Sequence, residues 1–221
     1  PSATGPTSTL LVADRECPKI RELLAEALVP VLWLKAGQHP LETVTAALET
    51  RRQQGRPVQT LHWVSHGRPG VLQVGAREIT RQTLVLHRAD LETWGIKNLA
   101  LWSCRYGAEP EAVSLLEEFT GASVFASAND LGRTSKASTQ WKLGAADIAI
   151  PVEPANLRSW AHQLGEKMYT THESGTKLGY VDQSDNTFTD LGTFNNGTSD
   201  LTRVWGLAFG QDGNLYATQE F

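Results

Sequence analysis

Two short runs, Val64-Ser65-His66-Gly67 and Leu101-Trp102-Ser103-Cys104, each end an apolar, strand-like stretch on a reactive side chain. Cysteine and histidine together suit acyl transfer, because the thiolate is the nucleophile and the imidazole takes its proton and stabilises its charge. Adjacent strands lie roughly 4.8 Å apart, so two neighbouring strand ends would bring imidazole and sulfur together. Gly67 permits a sharp turn and leaves its N–H open, which makes the Gly67 and Cys104 N–H groups the expected oxyanion donors. Taken singly, each residue has a plainer explanation: cysteine is among the most buried residue types, and a strand histidine is usually a satisfied polar group. Their matched placement is what favours a dyad.

A sheet must hold those ends. Thr9 to Asp14, Val31 to Leu34, Thr60 to Ser65, Asn98 to Ser103 and Ser123 to Ser127 read as five strands with near-continuous apolar character, as in parallel strands covered on both faces. Helical spacing separates them: Ile20, Leu23, Leu24, Ala27 and Leu28 after Pro18; Leu41, Val44, Ala47 and Leu48 after Pro40; Leu84, Leu86 and Leu91 after Glu78 or Thr80; and Val113, Leu116 and Phe119, closed by Gly121. Pro69-Gly70 and the Val71 to Gly75 run suggest a small hairpin beyond the third strand. A last helix is expected around Leu157, Trp160, Ala161 and Leu164. This order predicts an α/β, doubly wound, mostly parallel sheet over residues 8–164, with sites at the strand carboxyl ends. Asp14, His66, Cys104 and Asn129-Asp130 gather at that edge.

From residue 165 the composition shifts to Thr, Asn, Gly and Asp, with three basic against eight acidic residues. Met168-Tyr169-Thr170-Thr171 is echoed by Leu215-Tyr216-Ala217-Thr218, and alternating runs between them, with turns at Asp185-Asn186 and Asp212-Gly213, predict antiparallel strands. This 165–221 segment resembles the start of a β-propeller or similar β-repeat, which needs further strands past Phe221 to close its edges.

The 221 residues carry a net charge of −4 and only two cysteines. That balance, without a basic stripe, disfavours nucleic acid, and Cys17 and Cys104 form neither a disulfide framework nor a zinc pattern, so neither metal nor cofactor is expected. Cys17 reads as a buried helix-start residue, with pairing to Cys104 the alternative in an oxidising space. His62 reads as structural. No apolar run is long enough to span a membrane, and no export leader is visible.

Leu11-Val12-Ala13-Asp14, Val64 to Gly70, Leu72-Gln73-Val74-Gly75, Trp102-Ser103-Cys104, Gly121 to Val124 with Ala126-Ser127, and Trp141-Lys142-Leu143-Gly144 together resemble the bacterial domain-of-unknown-function family 4347. That family is found at the amino ends of large surface or secreted proteins, and in turn resembles caspase-like cysteine peptidases. The resemblance implies His66 and Cys104 as catalytic, a polypeptide substrate, and a bacterial extracellular or cell-surface setting; the order of the two regions along the chain leaves two candidate substrates, the chain itself and a neighbouring surface protein. Strand ends carrying Asp14 and Asp130 would line the substrate pocket and favour a basic residue before the scissile bond, whereas Arg15 and Arg133 would favour an acidic one. The rival expectation is an inactive anchoring module of an adhesin-like protein, for which self-assembly is also expected.

Overall fold

A computed structural model of the chain describes residues 8–17, 19–35, 37–135, 138–144, 148–165, 167–182, 187–195, 199–210 and 214–219. Strand β1 (Thr9–Asp14), helix α1 (Ile20–Leu23), β2 (Val31–Leu34), α2 (Pro40–Gln53) and β3 (Thr60–Val64) open the α/β unit. A small meander follows, β4 (His66–Arg68), β5 (Val71–Val74) and β6 (Arg77–Ile79), then α3 (Arg81–Leu86), α4 (Arg88–Leu91) and β7 (Asn98–Trp102). Helix α5 (Pro110–Thr120), β8 (Ser123–Ala126), β9 (Gly132–Ser135), β10 (Ser138–Gln140) and α6 (Pro154–Ser159) complete it.

The central sheet has five strands in the order β2-β1-β3-β7-β8, all parallel, as the unbroken apolar runs predict. Alternate residues split into two cores. Leu10, Val12, Leu61, Trp63, Leu99 and Leu101 meet α2 to α5 on one face. Leu11, Ala13, Val64, Ala100 and Trp102 meet α1 and the segment around Val152, Trp160 and Leu164 on the other. Gly121 ends α5 with φ +67°, the left-handed cap that glycine takes without strain.

Two helices are shorter than their spacing predicts. Helix α1 is one turn, because Ala27 bridges to Val152 and the Leu28 N–H donates to the Pro151 carbonyl at 3.0 Å, which draws the chain away; Leu28 is exposed. Pro18 lies outside the described residues. Helix α6 ends at Ser159, and Trp160 to Leu164 runs extended instead. There the Arg133 N–H donates to the His162 carbonyl at 2.7 Å and the Leu164 N–H to the Leu131 carbonyl at 3.0 Å, so strand pairing overrides the helical spacing.

Beyond residue 165, β11 (Lys167–His172), β12 (Lys177–Asp182) and β13 (Thr187–Thr193) form a three-stranded antiparallel sheet, and β14 (Val204–Phe209) with β15 (Leu215–Gln219) a hairpin. The turns at Asp185-Asn186 and Asp212-Gly213 lie outside the described residues. Among the described residues, no helix is long and apolar enough to cross a membrane.

Candidate active site at the carboxyl edge of the sheet

The register places Val64 opposite Trp102 across β3 and β7. His66 and Cys104 each lie two residues further on, past the ladder, and both are fully buried. At this point the chain leaves the sheet twice: β4 turns into the meander, and Cys104 enters a 3₁₀ turn at Tyr106–Ala108 through Arg105, whose φ is +59°. The two loops are tied together by Ser103 Oγ–H donating to the His66 carbonyl at 3.0 Å and by the Gly70 N–H donating to the Tyr106 carbonyl at 3.2 Å. Buried Glu78 braces the meander, accepting from Arg68 at 2.8 Å and from Gln73 at 3.1 Å.

Any side chain at Gly67 would force its neighbours to move. A Cβ there would lie 1.9 Å from Ser103 Oγ and 2.8 Å from the Val71 carbonyl oxygen. This tight approach aims the Gly67 N–H inward, and the N–H groups of Gly67 and Cys104 converge on one acceptor, the Leu164 carbonyl oxygen, at 3.2 Å each. Two backbone donors on a single oxygen, one of them the N–H of a cysteine, is the arrangement that holds a tetrahedral oxyanion.

The Cys104 sulfur is set by Leu131, whose N–H donates to it at 3.0 Å and whose carbonyl accepts from the thiol at 3.5 Å. That N–H offers a donor for the charge a nucleophilic sulfur carries. His66 Nδ1–H donates to the Gly165 carbonyl at 2.5 Å, which fixes the tautomer and leaves Nε2 as the basic nitrogen.

Other residues at this edge take different positions. The Asp14 carboxylate is buried and accepts from the Glu16 N–H at 2.9 Å and the Gly75 N–H at 3.1 Å, with the Cys17 thiol at 3.7 Å; it caps turns. Asp130 is half-buried, immediately before Leu131. Both cysteines are free and buried. A cleft of about 640 Å3 lies elsewhere, at the seam where Glu16, Lys35 and Arg77 face Leu178, Leu207 and Tyr216. Spacing in sequence also keeps apart two groups that the fold assembles, His39 with Glu42 and His87, and His172 with Glu173 and Asp190, each offering ligand atoms within 4.8 Å of one another. The rings of His39 and His87 stack at 4.1 Å, and His87 bonds Asp90 at 2.9 Å.

Under the site, Trp102 Nε1–H donates to His62 Nδ1 at 3.0 Å, and burial pushes His62 down to about 4. The unfolded chain therefore takes up a proton that the folded chain refuses as pH falls from about 6.5 towards 4. Stability is full above this window and falls through it by up to about 3 kcal/mol. Urea midpoints at pH 7.5 and 4.5 should differ more for the wild type than for His62→Gln; equal differences would contradict this.

Residues 10–164 match the family described as a domain of unknown function, DUF4347. The chain belongs to this family. Among curated proteins and among solved structures, no match to the chain was found. The DUF4347 unit thus spans the parallel sheet from Leu10 onward and the loops that carry His66 and Cys104, and its last residue is Leu164.

Proposed function

We propose that the DUF4347 domain of this chain is a caspase-like cysteine endopeptidase that makes limited cuts in polypeptide. Cys104 is the nucleophile and His66 the general base. The observation that carries this reading is the pair of N–H groups, Gly67 and Cys104, the second belonging to the cysteine itself, held 3.2 Å from one carbonyl oxygen. Residues 165–221 are proposed as the start of a β-propeller-like or other β-repeat in a bacterial surface or secreted protein, for which the echoed Tyr-containing strands β11 and β15 speak.

The residue before the scissile bond is proposed to be apolar. Leu164, whose carbonyl fills the donor pair, is wholly buried in the cluster that holds Cys104, Leu131, Leu143 and Trp160. Asp14, the carboxylate expected to draw a basic side chain there, is engaged by the turn N–H groups of Glu16 and Gly75. A second reading, an anchoring module without turnover, is favoured by the complete burial of the Cys104 thiol.

A fluorogenic coumarin amide of Trp-Ala-His-Gln-Leu, copied from Trp160 to Leu164, separates the two when added to the Leu164→Arg chain. An unpaired charge is costly in an apolar pocket, so the variant expels its own segment and leaves the cleft to the peptide. Coumarin release is expected, absent once Cys104→Ala is added and about 10²–10⁴-fold slower with His66→Ala. No release from a Leu164→Arg chain that still melts cooperatively contradicts the peptidase. Cleavage of the variant's own chain after the new arginine would reverse the apolar assignment.

A further inference from the structure

The oxygen held by the two donors belongs to the chain itself. We infer that the Leu164–Gly165 peptide bond is the substrate of Cys104 in cis, so that hydrolysis separates the DUF4347 domain from the β-strand region. The inference rests on the peptidase reading above and names its bond.

Residues 162–164 lie along 131–133 as an added antiparallel strand. The Gly132–Gln163 bridge is flanked by the bonds from Arg133 N–H to the His162 carbonyl at 2.7 Å and from Leu164 N–H to the Leu131 carbonyl at 3.0 Å. Strand addition of this kind holds an extended peptide by its backbone and reads alternate side chains in pockets. Leu164 fills one pocket, wholly buried, and Trp160 packs against Trp141 with ring centroids 5.5 Å apart.

The seat is shaped for this backbone. Gly132 has φ +97°, and a Cβ on it would come within 2.5 Å of the His162 carbonyl oxygen, 2.8 Å of the Trp160 ring and 3.0 Å of Gln163 Cα. Only glycine meets both demands, the backbone conformation and the close approach.

Two of the groups that hydrolysis needs lie on either side of the bond. The Leu164 carbonyl oxygen sits between the N–H groups of Gly67 and Cys104, and His66 Nδ1–H reaches the carbonyl of Gly165, the residue that supplies the leaving nitrogen. The Cys104 proton passes to His66 as sulfur attacks the Leu164 carbonyl carbon, and the carbonyl π electrons move to the oxygen. Collapse breaks the C–N bond, a proton from the imidazolium goes to the Gly165 nitrogen, and a Leu164–Cys104 thioester remains. Water then adds to the thioester carbon, His66 takes its proton, and the C–S bond breaks to return the thiol and a Leu164 carboxylate. The family unit ends at the same residue, and the acidic β-strand composition begins directly after it.

While the segment is seated, Cys104 is fully covered, which keeps other peptides out and makes the first cut an internal one. The test is the intact mass of the whole chain after incubation at neutral pH in reductant, beside Cys104→Ala, His66→Ala and Gly165→Pro. Proline leaves Leu164 in its pocket and replaces the leaving nitrogen with a ring amide. Wild type should give two fragments that meet between Leu164 and Gly165, with about 10²–10⁴-fold slower cleavage for His66→Ala and none for the other two variants. A wild-type chain that stays whole, is cut elsewhere, or is cut equally in Cys104→Ala overturns the inference. In any of those cases, Cys104-dependent hydrolysis of the coumarin peptide by Leu164→Arg leaves the peptidase reading standing, and its absence removes both.

Discussion

Gly67→Ala slows self-cleavage by about 10²–10³-fold, the usual loss when one oxyanion donor is displaced. The added methyl has no room: the Ser103 hydroxyl lies on one side at 1.9 Å and the Val71 carbonyl of the paired strand on the other at 2.8 Å. Ser103 is itself bonded to the His66 carbonyl, so the hydroxyl yields only by loosening the strap between the two reactive loops. The β4–β5 pairing, Gly67 opposite Leu72, must therefore shift, and the Gly67 N–H leaves the Leu164 oxygen. Adding Ser103→Gly removes one obstacle and keeps the other, so the double variant should recover part of the rate. Fragment formation followed by mass gives the comparison, and Gly67→Ala cleaving at the wild-type rate would refute the assigned role of that N–H.

The largest effect on stability is expected from Trp102→Ala, a loss of about 3–5 kcal/mol in urea unfolding at pH 7.5. Trp102 is wholly buried at the end of β7, stacked on His62 with centroids 6.2 Å apart and leaning on Trp141 at 6.4 Å. Its removal leaves a large cavity and takes the donor from His62 Nδ1. Cys104 follows two residues later, so cleavage should weaken along with stability. Trp102→Phe keeps most of the apolar volume and should lose clearly less. A Trp102→Ala chain within about 1 kcal/mol of wild type would show that the core relaxes into the space.

The parallel sheet, and the placement of His66 and Cys104 two residues past paired positions on neighbouring strands, were legible because both are written locally. An apolar run of four to six residues that stops at His-Gly or Ser-Cys marks a buried strand end, and neighbouring strands in one register do the rest. The need for glycine at Gly67 was legible as a turn signal, but what constrains it, the Ser103 hydroxyl just past β7 and the Val71 carbonyl, is tertiary contact. What covers the site was not legible. Trp160, Ala161 and Leu164 recur at helical spacing, and nothing within that window reveals that residues 162–164 bond to residues 131–133. Gly132 looks like one more loop glycine until its positive φ and the His162 backbone stand beside it. Asp14 shows the converse limit: a strand-end carboxylate looks like a pocket residue in sequence, and its partners here are turn N–H groups.

His66 and Cys104 are both buried, with Leu131 on the sulfur and Gly165 on the imidazole, and on the proposed reading the segment that covers them is the first substrate. The most direct measurement is the intact mass of the wild-type chain beside Cys104→Ala after the same incubation at neutral pH in reductant. Two fragments that meet between Leu164 and Gly165 in the wild type, with an uncut variant, are the predicted result. A wild-type chain that stays whole would contradict it, and a Leu164→Arg chain that also leaves the coumarin peptide uncut would remove the peptidase reading as well.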